Sequence, residues 1–227
     1  MIKRQAKSNK HILKIIREVS PTQILAVTKK HPITTVNQAL KNNITKIGEN
    51  QIQEAYKKFK NFKDRKKIEL HFIGKLQSNK INKAVEIFDV IQTIENVKQI
   101  QKTGKKAKEI KKKQKIYIQI NISKDPRKGG VLKEEINILC ASINQEKNIE
   151  LCGIMTILKE GLAKEKIYNY YKEMKKIQQD LFLKNKNCKE ISMGMSGDYK
   201  LAIQAGATQV RLGTALFGRR KNENISI

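Results

Sequence analysis

A lysine that closes an apolar run is the first residue whose placement suggests chemistry. Ile24-Leu-Ala-Val-Thr28 reads as a buried strand, Lys29 follows it directly, and Pro32 sets up the next turn. An amine at the exit of a buried strand is partly desolvated, which lowers its pKa and makes it nucleophilic toward aldehydes. Among 48 Lys and Arg residues, a lysine at a strand end is by default an ordinary surface residue. Lys29 is set apart by two glycine-bearing runs late in the chain, Ser192-Met-Gly-Met-Ser-Gly-Asp198 and Val210-Arg-Leu-Gly-Thr-Ala-Leu-Phe-Gly218. Their glycines permit close backbone approach, Thr214 opens a short helix with unpaired N–H groups, and Ser196 offers a hydroxyl. Such turns suit a phosphate. An amine facing a phosphate cradle is the arrangement that holds a phosphorylated aldehyde such as pyridoxal phosphate.

The elements that must position these residues follow from periodicity. Apolar alternation and short apolar runs predict strands at Ile24–Thr28, Ile44–Gly48, Leu70–Ile73, Val90–Thr93, Lys115–Asn121, Leu151–Thr156, Ile191–Met195 and Gln209–Leu212. Helical spacing appears first at Ile12, Ile15, Ile16 and Val19, and most clearly at Ile167, Tyr170, Tyr171, Met174, Ile177 and Leu181. Thr34 or Thr35 is expected to cap the helix after strand one, and the lysine-rich stretch up to Lys113 is expected to be a mostly solvated helix interrupted near Gly104. Strands alternating with helices, without hairpin signals, predict parallel βα units in a single closed (β/α)8 barrel of the TIM type over residues 1–227, with a polar tail from about 219. An open doubly wound sheet is the alternative, weakened because no glycine-rich dinucleotide fingerprint follows strand one. In a barrel the site lies at the carboxyl ends of the strands. Those ends are Lys29, Asn50, Gly74, Thr93, Asn121, Thr156, Ser196 and Arg211 with Gly213-Thr214.

That set contains one amine, one guanidinium and no pair of carboxylates, which excludes the two-acid glycosidase pattern. His11, His31 and His71 differ too much in setting to suggest a metal site, and His71, inside a strand, reads as a hydrogen-bonded core residue. Cys140, Cys152 and Cys188 are odd in number and lack C-x-x-C spacing, so reduced thiols in the cytoplasm are expected. No secretory signal or membrane-length apolar run is visible. The excess of 48 basic over 21 acidic residues gives +27, which by itself raises nucleic-acid binding. The lysines are scattered over the polar faces of almost every helix, aromatics are 5% and Trp is absent, so no dedicated nucleic-acid function is expected.

Ala26-Val-Thr-Lys29, Ile47-Gly-Glu-Asn50, His71-Phe-Ile-Gly-Lys-Leu-Gln-Ser-Asn-Lys80, Ser192-Met-Gly-Met-Ser196 and Val210–Gly218 resemble the pyridoxal phosphate homeostasis proteins of the YggS type, single-domain relatives of the alanine racemase barrel. The matches run from strand one to strand eight. The resemblance implies that Lys29 is the Schiff-base lysine and that Asn50 lies beside the cofactor. It implies further that Ser196, Gly213 and Thr214 bind the phosphate, that Arg211 faces the pyridine nitrogen, and that Met193 and Met195 form the pocket near the ring. His31 departs from the family, where a second lysine often precedes the proline, and Lys75 occupies a variable position. The implied role is reversible holding of the cofactor in intracellular pyridoxal phosphate homeostasis, with no catalytic residues. Apo pyridoxal-phosphate enzymes are candidate recipients, and a monomer is expected because no second domain completes an interface. The alternative is an amino-acid racemase or another pyridoxal-phosphate-dependent enzyme.

Overall fold

The computed structural model describes residues 2–218. Its strands are β1 (Gln23–Val27), β2 (Lys46–Glu49), β3 (Glu69–Phe72), β4 (Val90–Ile94), β5 (Gln114–Gln119), β6 (Ile149–Met155), β7 (Glu190–Ser192) and β8 (Gln209–Leu212). They pair in parallel and in chain order, and β8 returns to β1 with Gln23 opposite Gln209 and Ala26 opposite Leu212, which closes the barrel. Helix α1 (Ile2–Val19) precedes β1. The helices α2 (Ile33–Lys41), α3 (Ile52–Phe59), α4 (Ile81–Ile87), α5 (Val97–Glu109), α6 (Ile136–Asn144), α7 (Lys164–Lys184), α8 (Tyr199–Gln204) and α9 (Thr214–Phe217) each follow a strand. The chain is a (β/α)8 barrel, and the open sheet is excluded.

Alternation along the strands gives two apolar layers. Ala26, Ile47, Leu70, Ile91, Ile116 and Ile118 merge with the inner faces of the helices into one continuous core. Inside the barrel, Val90, Tyr117 and Met155 form a separate cluster. Each fully buried aliphatic side chain contributes about 1.5–3 kcal/mol, so the larger outer layer is the main source of stability. The interior also carries a polar chain. The Gln92 side-chain amide lies 2.8 Å from Nδ1 of His71 and 2.6 Å from Oε1 of Gln209, and all three residues are fully buried. His71 is thus the hydrogen-bonded core residue that the sequence suggests, and no cluster of metal-ligating side chains exists among the described residues.

Several local expectations are corrected. Neither Thr34 nor Thr35 caps α2; the helix starts at Ile33 behind Pro32, whose extended backbone and fixed φ set the entry, and Thr35 is buried within it. Helix α5 runs without a break through Gly104. It buries Gln99, Ile100, Thr103, Gly104 and Ala107, so it is amphipathic where a mostly solvated helix was expected. Gly104 is retained because a Cβ there would collide with the Glu146 side chain on the chain following α6. Strand β2 begins at Lys46, since Asn43 takes a left-handed φ of 59° and Ile44 still bonds back to Ala39 of α2. Strand β7 stops at Ser192, short of the expected Met195, because the chain turns away through Gly194 at a φ of 85°. The polar tail expected from about 219 lies outside the described residues.

Candidate functional site

The carboxyl ends of the strands open on a cleft of about 330 Å³, within the range of about 300–1,000 Å³ typical of ligand sites. Lys29, half-buried, reaches it from the end of β1, and Asn50 reaches it from the end of β2. Asn50 is set by Gly74, which packs on it so closely that a Cβ would overlap the Asn50 carbonyl. Its own side-chain Oδ1 is buried without a hydrogen-bond partner among the described residues.

Arg211 lines the cleft from β8 and is 4% exposed. Its guanidinium donates to the Ser192 carbonyl at 2.7 Å, the Ser192 hydroxyl at 3.0 Å and the Thr156 carbonyl at 2.7 Å. Burial pulls its pKa below the ordinary guanidinium value, but the three fixed acceptor oxygens keep the group in its charged, donating form. Ser196, Gly213 and Thr214 line the same cleft. Ser196 Oγ accepts the Ala215 backbone N–H at 3.1 Å, tying the turn after β7 to the start of α9. That turn is braced by Asp198, which accepts the Met195 N–H at 2.6 Å and the Tyr171 hydroxyl at 2.8 Å; burial pushes the Tyr171 hydroxyl well above its usual pKa, so it stays protonated and donates. Gly194 is required at the same place, where an added Cβ would strike Ala202 at 2.5 Å. At Gly213 a Cβ would sit 3.3 Å from the Val27 carbonyl, so the backbone passes close to β1 and leaves room on the cleft side.

Of the seven residues the sequence proposes as the cofactor site, Lys29, Asn50, Ser196, Arg211, Gly213 and Thr214 line this cleft, together with Met195. Met193 does not: it is fully buried in the outer apolar core. Alternation explains this, since Ser192 faces Arg211 inside the barrel and the next side chain points the other way. Thr93, Asn121 and Thr156 also stay outside the lining, as buried residues. Thr156 donates to the Ile120 carbonyl, and Asn121 holds the loop at Asp125 and Lys128.

The sequence reading missed a buried charged cluster behind Lys29. Lys58 of α3 lies 2.7 Å from Glu49 Oε1 and 2.9 Å from Glu54 Oε1. Glu49 is fully buried; desolvation pushes its carboxyl above the usual range, while Lys58 pulls it back. Glu54 and Lys58 are four apart on one helix, and that spacing was the available signal.

Other features fit a site less well. A larger cleft of about 480 Å³ at the amino ends of β1 and β2 is lined by Leu13, Ile16, Pro21, Ile44, Lys46 and their neighbours, without a guanidinium or glycine turns. Lys112 is an amine whose pKa burial lowers to about 8, but it donates to the Val85 and Phe88 carbonyls at the end of α4, ahead of β5 and at the opposite end of the barrel. The three cysteines are free; burial pushes Cys152 and Cys188 up to about 12, which leaves their thiols neutral and unreactive. No helix among the described residues is long and apolar enough to cross a membrane.

Fold and site together define a single parallel barrel whose mouth gathers an amine, a guanidinium and two glycine-bearing turns. The chain belongs to the family described as alanine racemase, N-terminal domain, whose profile matches residues 6–221, and within it to the pyridoxal phosphate homeostasis proteins. It is 37% identical over 208 residues to the pyridoxal phosphate homeostasis protein of Synechocystis sp., covering 91% of this chain and 95% of that one. PipY of Synechococcus elongatus PCC7942, solved without PLP, superposes with a TM-score of 0.88 at 30% identity over 92% of this chain and 99% of its own. The structure of PipY with PLP bound gives a TM-score of 0.85 at 29% identity over 93% and 100% of the two chains.

Proposed function

We propose that this protein binds pyridoxal phosphate at the barrel mouth, anchors it reversibly through Lys29 and takes part in pyridoxal phosphate homeostasis. The observation that carries the reading is the convergence of Lys29, Arg211 and the Ser196–Thr214 turns on one cleft. The residues fit the cofactor on chemical grounds. The cleft holds an amine for the aldehyde, a buried guanidinium that donates hydrogen bonds, and a buried Asn50 oxygen still lacking a partner. When bound, the cofactor supplies an aldehyde that a neutral amine captures reversibly with loss of one water.

This chain's own residues then have distinct tasks. Lys29 anchors, and Asn50 packs beside the ring. Ser196 and the backbone N–H groups at Gly213 and Thr214 hold the phosphate, and Met195 closes the cleft; these roles follow the family resemblance and the shared lining. Arg211, facing the pyridine nitrogen, keeps its proton and withholds it from that nitrogen, so the ring remains a weak electron sink. Racemisation needs an acid or base on each face of a substrate carbon. Among the described lining residues, Lys29 and His31 are the titratable groups besides Arg211, and both leave the end of the same strand. We therefore expect slow exchange with free amino acids and no efficient racemase activity. Apo enzymes that use the same cofactor are the recipients this role implies, in a reducing cytoplasm that suits three free cysteines.

The test begins with the visible spectrum of the purified protein and borohydride trapping of the lysine that carries the cofactor. Lys29→Ala should abolish the reducible visible band with the fold retained, and trapping at Lys112 or any other lysine in the wild type would refute the assignment. The racemase reading is tested by incubating cofactor-loaded protein with single amino-acid enantiomers in deuterated water. Rapid optical inversion that vanishes in Lys29→Ala would make this an enzyme.

A further inference from the structure

The charged cluster between α3 and the end of β2 touches the chain on both sides of Lys29. Lys58 Nζ donates to the Thr28 carbonyl at 2.8 Å, just before Lys29. Glu54 Oε1 accepts the Lys30 backbone N–H at 2.6 Å, just after it. Glu49 Oε1 accepts the Thr28 hydroxyl at 2.6 Å, and Glu49 directly precedes Asn50 at the cleft. We propose that the Glu49–Lys58–Glu54 cluster is a positioning device that fixes the backbone around Lys29 and so presents its amine to the cleft. The proposal rests on Lys29 being the covalent anchor.

Two further features support a role beyond docking α3. The helix already buries Ile52, Ala55 and Phe59, so apolar contact suffices to dock it, and burying charges there is a poor route to stability. Lys30 has a φ of 58°, in the left-handed region that a lysine rarely occupies, and its N–H is the one Glu54 holds. A backbone conformation of this kind persists where its surroundings enforce it. Here they do so at the residue next to the anchor.

The experiment compares wild type with Lys58→Met, Glu54→Gln and the charge-balanced pair Glu49→Gln/Lys58→Met, each first shown to be folded by circular dichroism at the assay temperature. Two ligands are used. Pyridoxal phosphate reports capture by the amine, and pyridoxine phosphate, which has no aldehyde, reports the non-covalent pocket. The expected result is capture slowed by about tenfold to a hundredfold, the range for a misplaced reacting group. Pyridoxine phosphate affinity should change less than about twofold, and borohydride should still trap the residual adduct at Lys29. Unchanged capture rates in folded variants with lowered melting temperatures would make the cluster merely structural, and equal losses for both ligands would mean general damage to the pocket; either overturns the proposal. Should the Lys58 variants not fold, Glu54→Gln carries the same test, since the Glu54 side chain is 23% exposed and better tolerates the change. A wild-type adduct on a different lysine overturns the anchor assignment itself, and that result is distinct from a slowed adduct at Lys29.

Discussion

At the scale of single residues, Ser196 and Thr214 make the phosphate assignment measurable. Hydrogen bonds to a charged group contribute about 1.5–3 kcal/mol each, so truncating either side chain to Ala should weaken pyridoxal phosphate binding by roughly tenfold to a hundredfold. Ser196→Ala has a second consequence, because Ser196 Oγ also receives the Ala215 N–H and so holds α9 against the turn after β7. The loss at Thr214 is expected at the lower end, as its backbone N–H remains in the variant. Titrations with pyridoxal, which lacks the phosphate, should be insensitive to both changes. Equal losses for the two ligands would place the phosphate elsewhere. That six of the seven proposed residues would share one cleft was legible because glycine turns and strand-end polar residues leave a pattern in the sequence. Met193 came only through the family resemblance; alternation from Ser192, which faces Arg211, turns it into the outer core instead.

At the scale of elements, the strands were legible because each is a short apolar run between polar helices, and their order fixed which ends meet. What stayed hidden depended on partners distant in sequence. Gly104 reads as a helix breaker until Glu146 is seen against it; in the fold the missing side chain lets α5 pass that neighbour unbroken. The i,i+4 spacing of Glu54 and Lys58 is common on solvated helix faces, so nothing in the sequence marks the pair as buried. The fold turns that face toward the end of β1, where Glu49 is fully buried and Lys58 is 7% exposed. The same rotation of α3 that hides its apolar residues therefore brings charge to the segment holding Lys29. Strand ends and helix starts are thus tied together across β1, β2 and α3 by hydrogen bonds to Thr28 and Lys30.

At the scale of the whole molecule, the polar chain through the barrel predicts how stability responds to acid. His71 is fully buried, and desolvation holds its pKa below the ordinary imidazole value, so it is neutral in the folded protein. Its Nδ1 then accepts from the Gln92 amide, and its Nε2 donates to Glu69 at 2.8 Å. That bond, with Lys46 and Lys115 nearby, holds the Glu69 carboxyl well below the usual carboxylate range. Below a pH of about 6.5 the unfolded chain takes up a proton at His71 that the folded barrel refuses, so stability falls by up to about 1.4 kcal/mol per pH unit in that window. Glu69 adds a second loss at lower pH. Its contribution is complete above the unfolded carboxyl value of about 4.3 and fades as the pH falls below it. Chemical denaturation followed from pH 7.5 to pH 5 should show the first loss, steepening below about 6.5. His71→Gln keeps one acceptor and one donor without a titrating group. It should lower stability at neutral pH, through imperfect replacement of the buried ring, and flatten the slope between about pH 6.5 and 5. An unchanged slope in that variant would show that His71 is not the group the folded barrel keeps neutral.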